Sequence, residues 1–227
     1  MKRGIIITVD GPSGAGKGTL AQAIAKRLGY SYMDTGAMYR VIALLVHREN
    51  VNIDDKKRLS EILLQTHITF GRDGNSNLRV FLNREDVTEE IRTPVISKLS
   101  SEIASNKVVR DYLRGMQRRI ARKGNIVAEG RDMGTYVFPN ADFKFYIDAS
   151  LPERARRRWI QLKESGIKVG IEEVKSDIER RDKQDKERVE SPLHPAPDAV
   201  IIDTTNLTVD TAVEKIMKTI MEGHNLK

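Results

Sequence analysis

A glycine-rich run followed by a lysine is the segment of this chain best suited to chemistry. Gly11, Gly16 and Lys17 satisfy the pattern G-x-x-x-x-G-K. Such a loop turns its backbone N–H groups toward a polyphosphate, the helix after it adds partial positive charge, and the lysine reaches the phosphate oxygens. The alternative is a glycine-rich turn with a solvated lysine. A strand-like run before the loop and helical spacing after it favour phosphate binding, and the candidate residues are Gly11, Pro12, Ser13, Gly14, Ala15, Gly16, Lys17, Gly18 and Thr19.

The position after the lysine departs from the commonest form of this motif. Ser or Thr usually stands there with its hydroxyl on Mg²⁺, but this chain has Gly18, and the hydroxyl comes one residue later at Thr19. Gly-Lys-Gly-Thr is typical of small nucleotide kinases, and the chain has no Asn-Lys-x-Asp motif to read guanine. A GTPase is therefore disfavoured. The residues that would hold a metal stay open, and we assign none.

Two further segments place polar side chains where a short strand ends. Thr35 and Arg40 lie at a turn between a strand and a helix, so a hydroxyl and a guanidinium can face one phosphate. The alternative is a helix cap with a solvated arginine. Arg131 and Asp132 follow an apolar strand, at the carboxyl edge where open α/β sheets bind ligands. Their alternative is a surface ion pair of little consequence.

Arginines also recur along two helices near the carboxyl end. Arg154, Arg157 and Arg158 fall near one face of a basic helix. An RNA- or membrane-facing patch is the alternative, but this stretch has one aromatic residue instead of the interleaved aromatics of a single-strand platform, so closure on a transferring phosphoryl group is favoured. Arg181 and Asp185 lie four residues apart on the next helix. Taken alone, the charge pattern of that helix indicates a solvated helix with several i,i+4 ion pairs.

Bulk composition limits the class of protein. The 227 residues are 39% hydrophobic and 31% charged, which predicts one domain with insertions. The absence of cysteine excludes disulfides, thiolate metal sites and cysteine nucleophiles. A net charge of +7 and a pI near 9.5 fit an anionic partner, whether nucleic acid, membrane headgroups or a phosphorylated small molecule. The first apolar run, residues 5–9, is too short for a signal peptide or a membrane span, so we expect a cytoplasmic protein.

The elements that must position these residues alternate between strands and helices. This order predicts an α/β fold with a parallel sheet flanked by helices on both faces. A small antiparallel β insert is predicted between His67 and Val87, where turn-forming residues separate two strand-like runs. Strands are expected near residues 5–9, 30–33, 126–128, 143–147 and 199–202, and helices near 17–28, 55–65, 94–104, 107–122, from about 151, 171–187 and 209–221, with one more around Tyr39 to Val46.

Three segments, Asp10 to Thr19, Asp34 to Arg40 and Glu129 to Gly134, carry a close resemblance to the bacterial cytidylate kinases over nearly the full length. The resemblance implies a P-loop kinase that transfers the γ-phosphoryl group of ATP, with Mg²⁺, to CMP or dCMP in pyrimidine metabolism. It also implies a single P-loop kinase domain over 1–227 in three parts. These are a core of about 1–63, 94–150 and 171–227, a nucleotide monophosphate-binding insert of about 64–93 and a mobile lid of about 151–170.

Residue roles follow from the same resemblance. Ser101, Arg110 and Asp132 match the family positions that read cytosine, whose exocyclic amine donates to a carboxylate and whose ring acceptors need a donor. By itself, Ser101 is an ordinary helix serine. The full substrate-binding set is Thr35, Arg40, Ser101, Arg110, Arg131, Asp132, Arg181, Asp185 and Arg188, and the catalytic set is Lys17, Arg131, Arg154, Arg157, Arg158 and Arg188.

Two rival functions remain at this point. One is another P-loop kinase, acting on UMP, AMP or a small molecule such as shikimate. The other is a basic ATPase that binds nucleic acid or the ribosome, suggested by the pI. The preferred interpretation predicts a monomer whose partners are CMP or dCMP and ATP, without stable nucleic acid or membrane contact. The preference between CMP and dCMP is left open.

Overall fold

The structure, a computed structural model, describes residues 4–74 and 78–224. The chain divides into two compact units, one formed by 1–34 with 120–227 and the other by 35–119. No helix in the described ranges is long and apolar enough to cross a membrane.

The first unit is built on a five-stranded parallel sheet. Its strands are β1 (Ile6–Asp10), β2 (Ser31–Asp34), β6 (Ile126–Gly130), β7 (Phe143–Asp148) and β8 (Val200–Asp203). Their order in the sheet is β2-β6-β1-β7-β8, so β1 lies at the centre, and all five residues of β1 are buried. The register places Val9 between Glu129 of one neighbour and Phe145 of the other.

The described part of this unit also contains four α-helices. They are α1 (Lys17–Leu28), α6 (Leu151–Glu164), α7 (Ile171–Glu187) and α8 (Val209–His224). Helices α6 and α7 form a hairpin with an apolar cluster of its own, in which Ala155 and Ile178 are buried and Trp159 packs against them. The Trp159 indole donates to the carbonyl of Val169 at 3.0 Å. A short π-helical turn, Met133–Val137, follows β6.

The second unit carries the small antiparallel sheet and four helices. The elements are α2 (Thr35–Arg48), α3 (Lys56–Leu64), β3 (Ile68–Arg72), β4 (Leu78–Leu82), β5 (Glu85–Asp86), α4 (Pro94–Ile103) and α5 (Lys107–Ile120). Helix α2 packs against α4, and the sheet order is β3-β4-β5. Asp55 caps α3 by accepting from the Arg58 amide, and Thr93 caps α4.

The predicted fold class is confirmed, because a parallel sheet flanked by helices and a small antiparallel sheet are both present. The interpretation of residues 180–188 as a wholly solvated helix is wrong. One face of α7 buries Val174, Ile178 and Asp182. The charge pattern does not reveal this, because Asp182 is buried through an ion pair with another helix.

Candidate active site

The glycine loop joins β1 to α1 and wraps closely against the strands beside it. Gly11 has φ +144°, and a Cβ there would stand 2.0 Å from the carbonyl oxygen of Ile147. Gly14 has φ +77°, and its Cβ would stand 2.9 Å from the Arg154 carbonyl at the start of α6. Glycine is required at both positions, since no side chain fits and the backbone conformation is left-handed. The loop therefore lies against β7 and the first turn of α6.

Lys17 is 5% exposed, and its Nζ donates to the carbonyl of Pro12 at 2.6 Å. Burial lowers the pKa of Lys17 to about 7, with the positive charge of Arg131 acting in the same direction and Glu129 and Asp185 opposing both. The lysine is thus held inside the loop among charged groups. An incoming phosphate would favour its protonated form.

Two donors from elsewhere in the unit meet the loop carbonyls. Arg154 is buried; its Nη1 donates to the carbonyl of Ser13 at 3.0 Å and to Asp182 Oδ2 at 2.6 Å. The hydroxyl of Thr204, after β8, lies 3.3 Å from the carbonyl of Ala15. These contacts tie two carbonyls of the loop to α6 and to the segment after β8.

Of the three predicted lid arginines, Arg157 binds Thr204 and Glu153. Its Nη2 donates to the Thr204 carbonyl and its Nε to Glu153, at 2.7 and 2.8 Å. Arg158 is half-buried and interacts electrostatically with Arg181. Arg154 and Arg157 therefore contact the P-loop and the segment after β8.

The residue after the motif lysine faces a carboxylate. A Cβ on Gly18 would stand 3.5 Å from both Glu129 Oε1 and the Tyr32 hydroxyl, and that hydroxyl donates to Glu129 at 3.2 Å. Thr19, which carries the predicted hydroxyl, is exposed. Within the described residues, no group of three His, Cys, Asp or Glu side chains could hold a metal by itself. The donor set fits Mg²⁺ arriving with a polyphosphate, since that ion keeps several waters and takes one or two carboxylates.

Two of the predicted substrate-binding arginines contact the carboxylate of a third predicted residue. Asp185 on α7 accepts from Arg131 Nε at 2.9 Å and lies 3.3 Å from Arg188 Nη1. Arg188 also donates to the Ser191 carbonyl at 2.6 Å. Burial lowers the pKa of Arg131, but the charge and hydrogen bond of Asp185 outweigh burial and raise it. Asp185 therefore fixes both guanidiniums.

Arg181 lies among charges of both signs. Burial lowers the pKa of Arg181, as do the positive charges of Arg158 and Arg131, whereas Asp177 and Asp185 oppose them. Arg181 is thus close enough to Arg158 of α6 and to Arg131 at the β6 edge for like charges to repel. An anion with several oxygens would relieve that repulsion.

Asp132 is buried directly after β6, and the residues beyond it are tied to β1. The amides of Met133 and Gly134 donate to the two carboxylate oxygens of Asp10 at 2.8 and 2.7 Å. Burial raises the pKa of Asp10 to about 6, the two amides lower it, Asp132 raises it, and Lys17 lowers it.

The second unit holds the remaining predicted residues. Arg110 is buried; it donates to the Ala104 carbonyl at 2.9 Å, and its guanidinium lies 5.7 Å from the centre of the Tyr39 ring. Ser101 on α4 lies 3.3 Å from the Ser97 carbonyl, to which its hydroxyl donates. Thr35 and Arg40 lie on the first turns of α2, Thr35 buried and Arg40 half-buried.

Comparison with known proteins agrees with this arrangement. A family model described as "Cytidylate kinase" matches residues 7–222. The chain belongs to the cytidylate kinase family. It is 46% identical over 221 residues to the cytidylate kinase of Geobacter sulfurreducens, covering 97% of this chain and 94% of that one. It is 48% identical over 217 residues to the cytidylate kinase of Caldanaerobacter subterraneus subsp. tengcongensis, covering 96% and 95%.

Comparison with solved structures supports the fold alone. An uncharacterised protein from Eubacterium ventriosum shares 14% of its residues with this cytidylate kinase family member at a TM-score of 0.50, with 95% and 98% of the two chains covered. The resemblance to the cytidylate kinases found in the sequence is therefore confirmed by family and by relatives.

Four residues of this cytidylate kinase family member lie at the site without having been predicted there: Asp10, Tyr32, Asp182 and Thr204. Asp10 had a usable signal, because a carboxylate that ends a buried strand needs hydrogen-bond donors. The other three act through partners far away in sequence, which spacing does not reveal.

Proposed function

We propose that this chain transfers the γ-phosphoryl group of ATP to CMP or dCMP and releases ADP with CDP or dCDP. The observation that carries the proposal is the joint fixing of Arg131 and Arg188 by Asp185, beside the P-loop lysine. Phosphoryl transfer needs positioning and charge neutralisation more than covalent help. An acceptor phosphate and a transferring phosphoryl group are the ligands that such a set of cations suits.

The acceptor needs little activation. A phosphomonoester loses its second proton near pH 6, so at neutral pH the attacking oxygen of CMP is already anionic. Arg131 and Arg188 would bind that phosphate, and Lys17 would hold the β and γ oxygens of ATP. Loss of one such cation is expected to lower kcat by on the order of 10³.

Mg²⁺ is proposed to accompany ATP. When bound, it would supply positive charge that neutralises the phosphates of ATP during transfer. Glu129, oriented by Tyr32 beside Gly18, is the residue placed to hold a water of that ion. We assign no direct protein ligand.

The base is proposed to be read by Asp132, Ser101 and Arg110. A carboxylate accepts from the exocyclic amine of cytosine, whereas uracil would bring an oxygen toward it. Thr35 and Arg40 are proposed to contact the nucleotide phosphate, and Arg181 and Asp185 the sugar. These assignments rest on the family resemblance.

The lid assignment of 151–170 and the insert assignment of 64–93 stay predictions of the same proposal. In the predicted lid, the contacts of Arg154 with Ser13 and Asp182 favour a role in holding the P-loop in place. Arg158, whose charge acts on Arg181, stays a proposed contact of the phosphoryl group.

The test is a coupled ADP-release assay with Mg-ATP and CMP, dCMP, UMP, AMP, GMP or no acceptor. Turnover restricted to CMP and dCMP is expected, and an Asp132→Ala variant should lose preference for CMP over UMP. ADP formed equally without acceptor, or only with RNA, would overturn the kinase proposal. Gel filtration and cell fractionation would test the further proposal of a cytoplasmic monomer without stable nucleic-acid or membrane contact.

A further inference from the structure

Asp10 has no role in the proposed chemistry, yet both oxygens of its carboxylate take part in hydrogen bonds. It ends the central strand and is 5% exposed, and each carboxylate oxygen accepts a hydrogen bond from one backbone amide. Those amides, of Met133 and Gly134, are the first two of the π-helical turn Met133–Val137. A carboxylate from β1 therefore caps a turn that lies more than a hundred residues away in sequence.

The capped turn begins directly after Asp132 and holds that residue from its other side. The Asp132 carbonyl accepts from the amides of Tyr136 and Val137 at 2.9 and 3.1 Å. The backbone of Asp132 is thus held by its own carbonyl and by the amides that follow it. A displacement of this turn would therefore shift the backbone from which the Asp132 carboxylate extends.

The packing around Gly134 leaves the turn little freedom to move toward β1. A Cβ at Gly134 would stand 2.9 Å from the Thr8 hydroxyl and 3.3 Å from Asp10 Oδ2. The cap therefore needs glycine in the turn and a short carboxylate at the end of the strand. A glutamate at position 10 would push the turn outward, and an asparagine would present an N–H₂ group to one of the two amides.

We propose that Asp10 is a positioning residue for base selection: by capping the π-helical turn it fixes Asp132 in the orientation that distinguishes cytosine from uracil. The inference rests on the proposed function, since it assumes that Asp132 reads the base. Asp10 itself touches no substrate in this scheme. Its effect should appear in selectivity between bases more than in the rate of phosphoryl transfer.

The test compares kcat/KM for CMP and UMP in Asp10→Asn, in Asp132→Ala and in a matched control, Asp142→Asn. The Asp142 carboxylate also accepts a hydrogen bond from a backbone amide, that of Ile6 at 2.8 Å, which lies at the opposite end of β1. The ratio of the two kcat/KM values cancels any common loss of ATP binding or of folded protein. Asp10→Asn is expected to lower the CMP to UMP ratio about tenfold, and Asp142→Asn to leave it within about twofold.

Amide hydrogen exchange of the segment 131–138, measured on the same preparations, tests whether the cap is intact. Asp10→Asn should accelerate the exchange of these amides. Faster exchange with an unchanged ratio would overturn the positioning role, and unchanged exchange would overturn the cap. If Asp132→Ala itself leaves the ratio unchanged, the base-reading part of the proposed function fails instead. Should Asp10→Asn not fold, Gly134→Ala perturbs the same contact from the turn, and there too an unchanged ratio would refute the proposal.

Discussion

The buried ion pair between Arg154 and Asp182 should be one of the largest single contributions to the stability of the first unit. The pair measures 2.6 Å, and the side chains are 8% and 12% exposed. Helix α7 carries a second pair of similar length, Asp177 with Arg180 at 2.8 Å, whose side chains are 60% and 52% exposed. The two aspartates differ chiefly in burial, so each serves as the control of the other.

Asp182→Ala would leave the Arg154 guanidinium buried without its counter-ion. Removing one partner of a buried pair costs about 3–5 kcal/mol, whereas an exposed pair contributes at most about 1 kcal/mol. Asp177→Ala makes the same change in the same helix, so the effect of helix propensity cancels in the comparison. We therefore expect Asp182→Ala to lower the free energy of unfolding by at least about 2 kcal/mol more than Asp177→Ala.

Urea unfolding followed by Trp159 fluorescence measures this difference, because the only tryptophan packs in the α6–α7 hairpin that carries the pair. The double variant Arg154→Met with Asp182→Ala should recover much of the loss, since it leaves no charge behind. Equal destabilisation by Asp182→Ala and Asp177→Ala would refute the reasoning. So would a double variant whose cost equals the sum of the two single changes.

Three further predictions concern the nucleotide-binding residues. Tyr39→Leu should raise the KM for CMP about threefold to tenfold by removing the ring 5.7 Å from Arg110, whereas Tyr39→Phe should stay within about twofold in the same steady-state assay. Gly18→Ala should keep ATP binding, because the new methyl group makes ordinary contacts at 3.5 Å. Gly11→Ala should yield little folded protein, because its methyl group would lie 2.0 Å from a carbonyl oxygen. Calorimetric titration with ATP distinguishes the two variants. Burial raises the pKa of Asp10 from 3.8 to about 6, so the folded state keeps this proton to a higher pH than the unfolded state does. Stability relative to Asp10→Asn should therefore fall by about 2 kcal/mol as pH rises from 4 to 7, and urea unfolding at both pH values checks the sign.

The sheet and the P-loop could be predicted because their signals are local. The buried run ending at Asp10, the glycines and the helical spacing after Lys17 lie within one stretch of chain, and each agrees with the next. The extents of α1 and α7 match the predicted ranges 17–28 and 171–187. Element ends that depend on packing were less well placed: β2 begins and ends one residue later than predicted, and α8 continues to His224.

The contacts among the site residues could not be predicted, because each joins two distant parts of the chain. Spacing puts Arg181 and Asp185 on one helix face, but it says nothing of Arg131, which is the partner that Asp185 binds. It also groups Arg154 with Arg157, although the first binds Asp182 and the second Thr204. Periodicity identifies a face, whereas the partner on the other side is set by the fold.

The arrangement of Asp185 suggests how buried cations can be kept ready for phosphate. Removing a guanidinium from water is costly unless an anion accompanies it, and Asp185 provides that anion for Arg131 and Arg188 together. One carboxylate shared between two guanidiniums leaves these three groups with net positive charge. The unit can therefore fold with its arginines in position and still attract a phosphate dianion. A second carboxylate on these arginines would stabilise the fold further and weaken the binding of phosphate.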